Sequence, residues 1–172
     1  MLKALNDLPQ ATLALVHGNC MAGGTGLASA ADVVLATSDA KFALTEVRLG
    51  LTPATISPYV VAAMGARQAR RYFATAERFD AAEACRIGLV HEVVADAGAL
   101  ETRGMEMIAA LLQGAPGAIR DSKILVERVA RARVDEELMA FTAQNIADRR
   151  ASPEGQEGLA AFFDKRKPNW AG

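Results

Sequence analysis

The chain has 172 residues, enough for one domain with a sizeable core, and its formal net charge of −1 excludes a global field that would gather nucleic acid or an acidic membrane. No apolar run approaches the length of a membrane span and no charged-then-apolar leader precedes the first apolar run, so no membrane partner is expected. Cys20 and Cys85 have no paired spacing, which points to free thiols, a reducing compartment and a cytoplasmic location.

Residues 1–7 read as the tail of a helix closed by Pro9, and the apolar, β-branched run Ala11–Val16 as a buried strand. The run breaks at Gly18-Asn19, and Gly23, Gly24 and Gly26 follow among small residues as a glycine turn, with helix-compatible sequence from Leu27. A strand, a glycine turn and a helix start present free N–H groups at a positively polarised end, which suits a phosphate or a developing oxyanion. A phosphate loop would need a Lys-Ser/Thr pair and a dinucleotide fingerprint a Gly-x-Gly-x-x-Gly spacing, and this segment has neither. On spacing alone, glycines for tight strand-to-helix packing explain it equally well. Cys20 lies in the same segment, but neither histidine is its sequence neighbour, so packing is the better reading.

Val33–Ala36 reads as a strand and Lys41–Leu44 as a second short one. Glu46–Pro58, with Gly50, Pro53 and Pro58, reads as loop and turn; Val60–Met64 and Ala66–Ala74 read as helix, separated by Gly65. Asp80 and Glu83 form a capping box, Gly88 stops that helix, and Leu89–Val94 is the next strand. From Ala99 the pattern is helical. Leu100, Met107, Ile108, Leu111 and Leu112 make one stripe, Ile119, Ile124, Leu125 and Val129 a second, and Leu138, Phe141 and Ile146 a third. Ser152-Pro153-Glu154 starts a last helix, with Leu159, Phe162 and Phe163 on its apolar face. The basic run Arg120, Lys123, Arg128, Arg131 and Arg133 is broken by Asp121 and Glu127, so it reads as a mixed-charge helix face and not as an RNA-binding one.

Glu46 is the candidate acid/base. It lies among apolar residues beside a glycine/proline loop, where desolvation favours a carboxyl able to exchange protons at working pH. Pairing with Arg48 or with solvent is the competing reading.

His17-Gly18, Ala22-Gly23-Gly24, Leu27-Ala28, Ala31-Asp32-Val33 and Phe42 closely resemble the signature of the crotonase (enoyl-CoA hydratase/isomerase) family. The resemblance continues in order through Phe42–Pro53, Ala76–Val90 and Ser152–Trp170. It implies an α/β, crotonase-like (ClpP/crotonase) ββα spiral core over residues 1–98, and a C-terminal helical oligomerisation region over 99–172. The family's N-terminal section, with its loop of the type Ala-x-Ser-x-Gly-x-Asp, has no counterpart here, so an N-terminally truncated core is expected. The resemblance further implies an acyl-CoA thioester as substrate, no separate cofactor or metal, and a homo-oligomer, either a trimer or a dimer of trimers. Gly23 matches the glycine whose amide holds the thioester oxygen, and Glu46 matches a catalytic glutamate in its Glu-x-x-x-Gly context. Met21, Ala22, Gly24, Gly26, Pro53 and Tyr59 are implied on the substrate, with Gly24 serving the turn as well. Phe162 and Lys165 match positions that contact coenzyme A, often from the neighbouring subunit, although a solvated helix end also explains Lys165.

Two departures bear on the reaction. Family hydratases carry a second glutamate where this chain has Gly26, leaving Thr25 and Asn19 as the nearest groups to orient a water; a lone glutamate fits the family's isomerases. The segment Pro53–Val60, together with Ala69–Phe79 and the Ser-Pro-Glu-Gly ending, resembles bacterial hydratases of branched glutaconyl-CoA, from leucine or acyclic terpene breakdown. The expected activity is therefore hydration of a 2-enoyl-CoA, with isomerisation, or a non-catalytic assembly or RNA-binding role, as the alternatives.

Overall fold

The computed structural model describes residues 1–130 and 132–172; Arg131 of the basic run lies outside the described residues. The chain forms two compact units, Met1–Glu106 and Met107–Gly172.

The first unit opens with α1 (Leu2–Asn6), β1 (Leu13–Val16), β2 (Asn19–Met21), α2 (Gly23–Ser29), β3 (Val33–Thr37) and β4 (Lys41–Ala43). A 3₁₀ turn at Glu46–Leu49 leads to α3 (Ser57–Thr75), β5 (Phe79–Asp80), α4 (Ala81–Arg86), β6 (Glu92–Val94) and the start of α5 (Ala97–Leu111). One sheet has the order β1-β3-β6, all parallel; the other has the order β2-β4-β5, with β2 and β4 parallel and β5 antiparallel to β4. The first four strands alternate between the two sheets, which is the winding expected of a ββα spiral. Register is pinned where β1 meets β3. Thr12 donates from its amide and its hydroxyl to Asp32 Oδ2 at 2.7 and 2.8 Å, and the Asp32 amide returns a bond to Thr12 Oγ1 at 2.9 Å.

Val34, Leu35, Ala36 and Thr37 are all buried, as a strand covered on both faces requires. Phe42 stacks on Phe79 at 5.7 Å between centroids, and Phe79 lies 4.2 Å from Tyr72, which joins β4, β5 and α3 in one core. Gly65 interrupts α3 at φ 77°, ψ 155°, where the sequence separates two helical runs.

Four expectations shift. The expected buried strand Ala11–Val16 contracts to β1, none of whose residues is fully buried, with Leu15 42% exposed. The glycine turn is a strand followed by a helix: β2 occupies Asn19–Met21, and α2 begins at Gly23 instead of near Leu27. Gly-Gly-Thr-Gly has poor intrinsic helicity, and the helix is held by tertiary contact: Thr25 Oγ1 donates to the Cys20 carbonyl at 2.7 Å, and Gly26 lies against Ile56. The expected strand Leu89–Val94 contracts to Glu92–Val94, with Leu89 and Val90 buried before it. Only half of the capping box forms. Asp80 Oδ1 accepts from the Glu83 amide at 2.9 Å, while the Glu83 carboxylate is engaged by the Tyr72 hydroxyl and the Arg86 guanidinium.

The second unit takes the end of α5 and then α6 (Pro116–Ala130), α7 (Glu136–Ala151) and α8 (Pro153–Phe163). Ser152 caps α8 by accepting from the Gly155 amide at 3.1 Å. Arg149 donates to Asp121 of α6 at 2.8 Å and to Glu154 of α8 at 2.7 Å, tying three helices together. Leu138 is buried, but Ile124, Ile146 and Phe162 are exposed at 54%, 54% and 78%, so much of the apolar striping lies at the surface of this chain.

Candidate active site

The parallel pair β2/β4 brings the candidate residues to one level. Met21 and Ala43 are register partners, and the Ala22 amide donates to the Ala43 carbonyl at 2.8 Å. Gly23 follows two residues after the end of one strand and Glu46 three residues after the other. Both therefore leave the carboxyl ends of parallel strands, where open α/β sheets bind ligands.

Ala22 makes the turn from strand to helix at φ 48°, ψ −115°, in a left-handed region that costs an L residue about 1–3 kcal/mol. Such strain gathers at working sites. The first α2 bond runs from the Gly26 amide to the Ala22 carbonyl at 3.1 Å, leaving the amides of Gly23, Gly24 and Thr25 ahead of it. A Cβ placed on Gly23 would meet nothing within 4 Å, so open space faces the residue expected to hold the thioester oxygen. At Gly24 it would sit 3.8 Å from Cys20 Sγ, an ordinary contact; Gly24 is the second residue of the helix and not part of a turn.

Gly26 is different. A Cβ there would fall 2.1 Å from Ile56 Cγ2 and 2.6 Å from Ile56 Cβ. Ile56 is buried at the start of α3, so the position where hydratases place a second glutamate is a packing contact between α2 and α3. Nothing in the sequence singled out Ile56. The hydroxyl of Thr25, expected as a group to orient water, is spent on the Cys20 carbonyl at 2.7 Å, within 3.3 Å of the Ala43 carbonyl, and Thr25 is fully buried. Asn19 is exposed on β2.

Glu46 opens the 3₁₀ turn, which Gly50 closes in the left-handed conformation at φ 72°. Its Oε2 is enclosed by protein and accepts no hydrogen bond, alone in this among the buried side-chain polar atoms of the described residues. An enclosed acceptor without a partner costs roughly 1–3 kcal/mol, more for a charged group, and calls for a reason. Pairing with Arg48 is not that atom's role, because Arg48 Nη2 donates to the Ala76 carbonyl at 2.8 Å. Pro53 is buried and accepts from the Ser57 amide at 2.9 Å through its carbonyl, fixing the loop between the turn and α3, and Tyr59 is half-buried against the core. Met21 is half-buried at the end of β2.

Phe162 and Lys165 belong to the helical unit. Phe162 is 78% exposed and meets Phe163 edge-on at 5.7 Å; Lys165 is exposed just after α8, at φ 54°. Among the described residues no cluster of three His, Cys, Asp or Glu is arranged to hold a metal ion, and no helix is long and apolar enough to cross a membrane.

The model of the enoyl-CoA hydratase/isomerase family matches residues 1–172. A solved enoyl-CoA hydratase/isomerase (crotonase) from Legionella pneumophila is 44% identical and superposes with a TM-score of 0.93, covering 98% of this chain and 65% of its own. An enoyl-CoA hydratase of Alternaria alternata is 33% identical over 162 residues, 92% of this chain and 53% of the relative. The mitochondrial Delta(3,5)-Delta(2,4)-dienoyl-CoA isomerase of Dictyostelium discoideum is 31% identical over 172 residues, 97% of this chain and 57% of the relative. The chain thus spans little more than half the length of these curated relatives. It belongs to the enoyl-CoA hydratase/isomerase (crotonase) family.

Proposed function

We propose that this chain carries the proton-transferring half of an enoyl-CoA hydratase acting on a 2-enoyl-CoA of the branched glutaconyl type. The observation behind the reading is the enclosed, unbonded Oε2 of Glu46, an acceptor held ready for a proton that the protein itself does not supply. In hydration Glu46 takes a proton from water as the hydroxide oxygen bonds to C3. The C2–C3 π pair moves into the thioester as an enolate, and Glu46 returns the proton to C2. In this reading the Gly23 amide, with open space before it, donates to the enolate oxygen; one fixed donor of this kind is worth roughly 3–4 kcal/mol. The thioester is the substrate, and no further cofactor enters the scheme. The exposed apolar side chains Leu112, Val126 and Met139 support a homo-oligomer, a trimer or a dimer of trimers.

The contact of Ile56 with Gly26 favours a second reading, isomerisation. There Glu46 removes a proton from C2 of a 3-enoyl-CoA and delivers it to C4, and no water has to be oriented. Incubation with 3-methylglutaconyl-CoA and with 3-hexenoyl-CoA, followed by mass spectrometry, separates the two. A product heavier by one water supports hydration, and a shifted double bond at unchanged mass supports isomerisation. No conversion of either thioester refutes both.

A further inference from the structure

The helical unit contains a groove of about 430 Å³ that has no part in the chemistry above. That volume falls within the roughly 300–1,000 Å³ of small-molecule sites. Its walls are largely apolar, from Ala118, Ile146, Gly158, Leu159 and the indole of Trp170, with Arg150 also lining it. The walls are fixed beforehand. Trp170 Nε1 donates to the Gln113 carbonyl at 3.2 Å, and the indole packs so closely on α8 that a Cβ at Gly158 would lie 3.2 Å from its Cη2. The Arg149 bonds to Asp121 and Glu154 brace the three helices around it.

Charge narrows the ligand. Arg149 is neutralised by two carboxylates, whereas among the described residues the Arg150 guanidinium has no hydrogen-bond or ion-pair partner, and Arg150 is exposed. The amides that could cradle a phosphate are already used: Gly117 donates to Glu154 Oε1 at 3.0 Å and Gly155 to Ser152 Oγ at 3.1 Å. The Glu154 carboxylate also lines the groove and repels a dianion. A cation without a partner among the described residues, beside an apolar, aromatic-walled groove, fits a single negative charge on an apolar body. We propose that this groove is a binding site for an arylalkyl monocarboxylate, with its ring against Trp170 and its carboxylate on Arg150.

Trp170 is the only tryptophan of the chain, so its emission reports occupancy directly. 4-Phenylbutyrate titrated into the full chain should give a saturable change in that emission. The uncharged 4-phenylbutyramide should bind about tenfold more weakly or worse, the loss expected when a charge-assisted bond is removed. Arg150→Gln, at an exposed position that leaves the fold intact, should show the same loss for the carboxylate. Ala118→Leu, which fills the groove, should abolish the saturable change without lowering the melting temperature, and Glu46→Gln should bind as the parent does. A linear, non-saturable response, an amide as tight as the acid, or an Arg150→Gln variant as tight as the parent overturns the proposal. Tighter binding of phenyl phosphate overturns the monoanion. Emission that follows protein concentration instead of ligand assigns the groove to a second copy of this chain, and the proposal fails.

Discussion

Gly26 and Ile56 are in such close register that a Cβ on the glycine would lie 2.1 Å from Ile56 Cγ2. The side chain that blocks the position is β-branched, buried and seated at the start of α3, so it has little freedom to yield. Gly26→Glu is therefore expected to overpack this contact and cost about 1–3 kcal/mol or more, without raising hydration. Gly26→Glu combined with Ile56→Ala should melt at a higher temperature than the sum of the single losses allows, because the two changes share one cavity. Strict additivity in thermal melts would show that the clash is relieved elsewhere.

Glu46→Gln tests the enclosed oxygen. Turnover should fall by ~10²–10⁴-fold, while acyl-CoA affinity changes little because the amide keeps the shape. The stability consequence is more specific: Oε2 has no partner to lose, so the variant should be at least as stable as the parent. A drop in melting temperature comparable to breaking a buried ion pair would mean that Glu46 is structural.

Much of this was legible beforehand, for identifiable reasons. β1 and β3 are short apolar runs bounded by punctuation residues, and Gly65, Gly88 and Ser152 act through local backbone chemistry that a sequence displays directly. The Gly23–Gly26 helix was not legible, because its stability comes from Thr25 reaching the Cys20 carbonyl and from Ile56, 30 positions downstream of Gly26. Glu46 could be nominated from its apolar neighbours and its resemblance. That Arg48 turns to Ala76 and leaves Glu46 Oε2 unbonded is a tertiary fact with no local signature.

Ala22 and Gly23 make opposite predictions at adjacent positions. Ala22→Gly removes a left-handed strain at φ 48° and should stabilise the chain by about 1 kcal/mol, read as a higher urea midpoint at unchanged slope. Gly23→Ala meets nothing within 4 Å, so stability should be unaffected. If the Gly23 amide must approach the thioester oxygen, however, a methyl on the same residue crowds that approach, and kcat/KM should fall by about tenfold or more. An active Gly23→Ala variant would remove Gly23 from the site.

The pH dependence of stability should carry the signature of one pair. Hydrogen bonds from Arg86 and then Tyr72 hold the Glu83 carboxyl at about 2, below its ordinary 4.5, and burial, followed by the Glu83 bond, pushes the Tyr72 hydroxyl up to about 12 from 10.0. The depressed Glu83 stabilises the fold fully above 4.5, and that contribution is lost as the pH falls toward 2. The raised Tyr72 stabilises the fold fully below 10.0, and its contribution is lost as the pH rises toward 12. Urea melts should therefore show Glu83→Gln well below the parent at pH 7, with the difference closing as the pH approaches 2. Tyr72→Phe should likewise fall below the parent at neutral pH and converge with it above pH 10. A Glu83→Gln deficit that persists unchanged down to pH 2 would mean that packing around the side chain, and not its charge, holds α4 to α3.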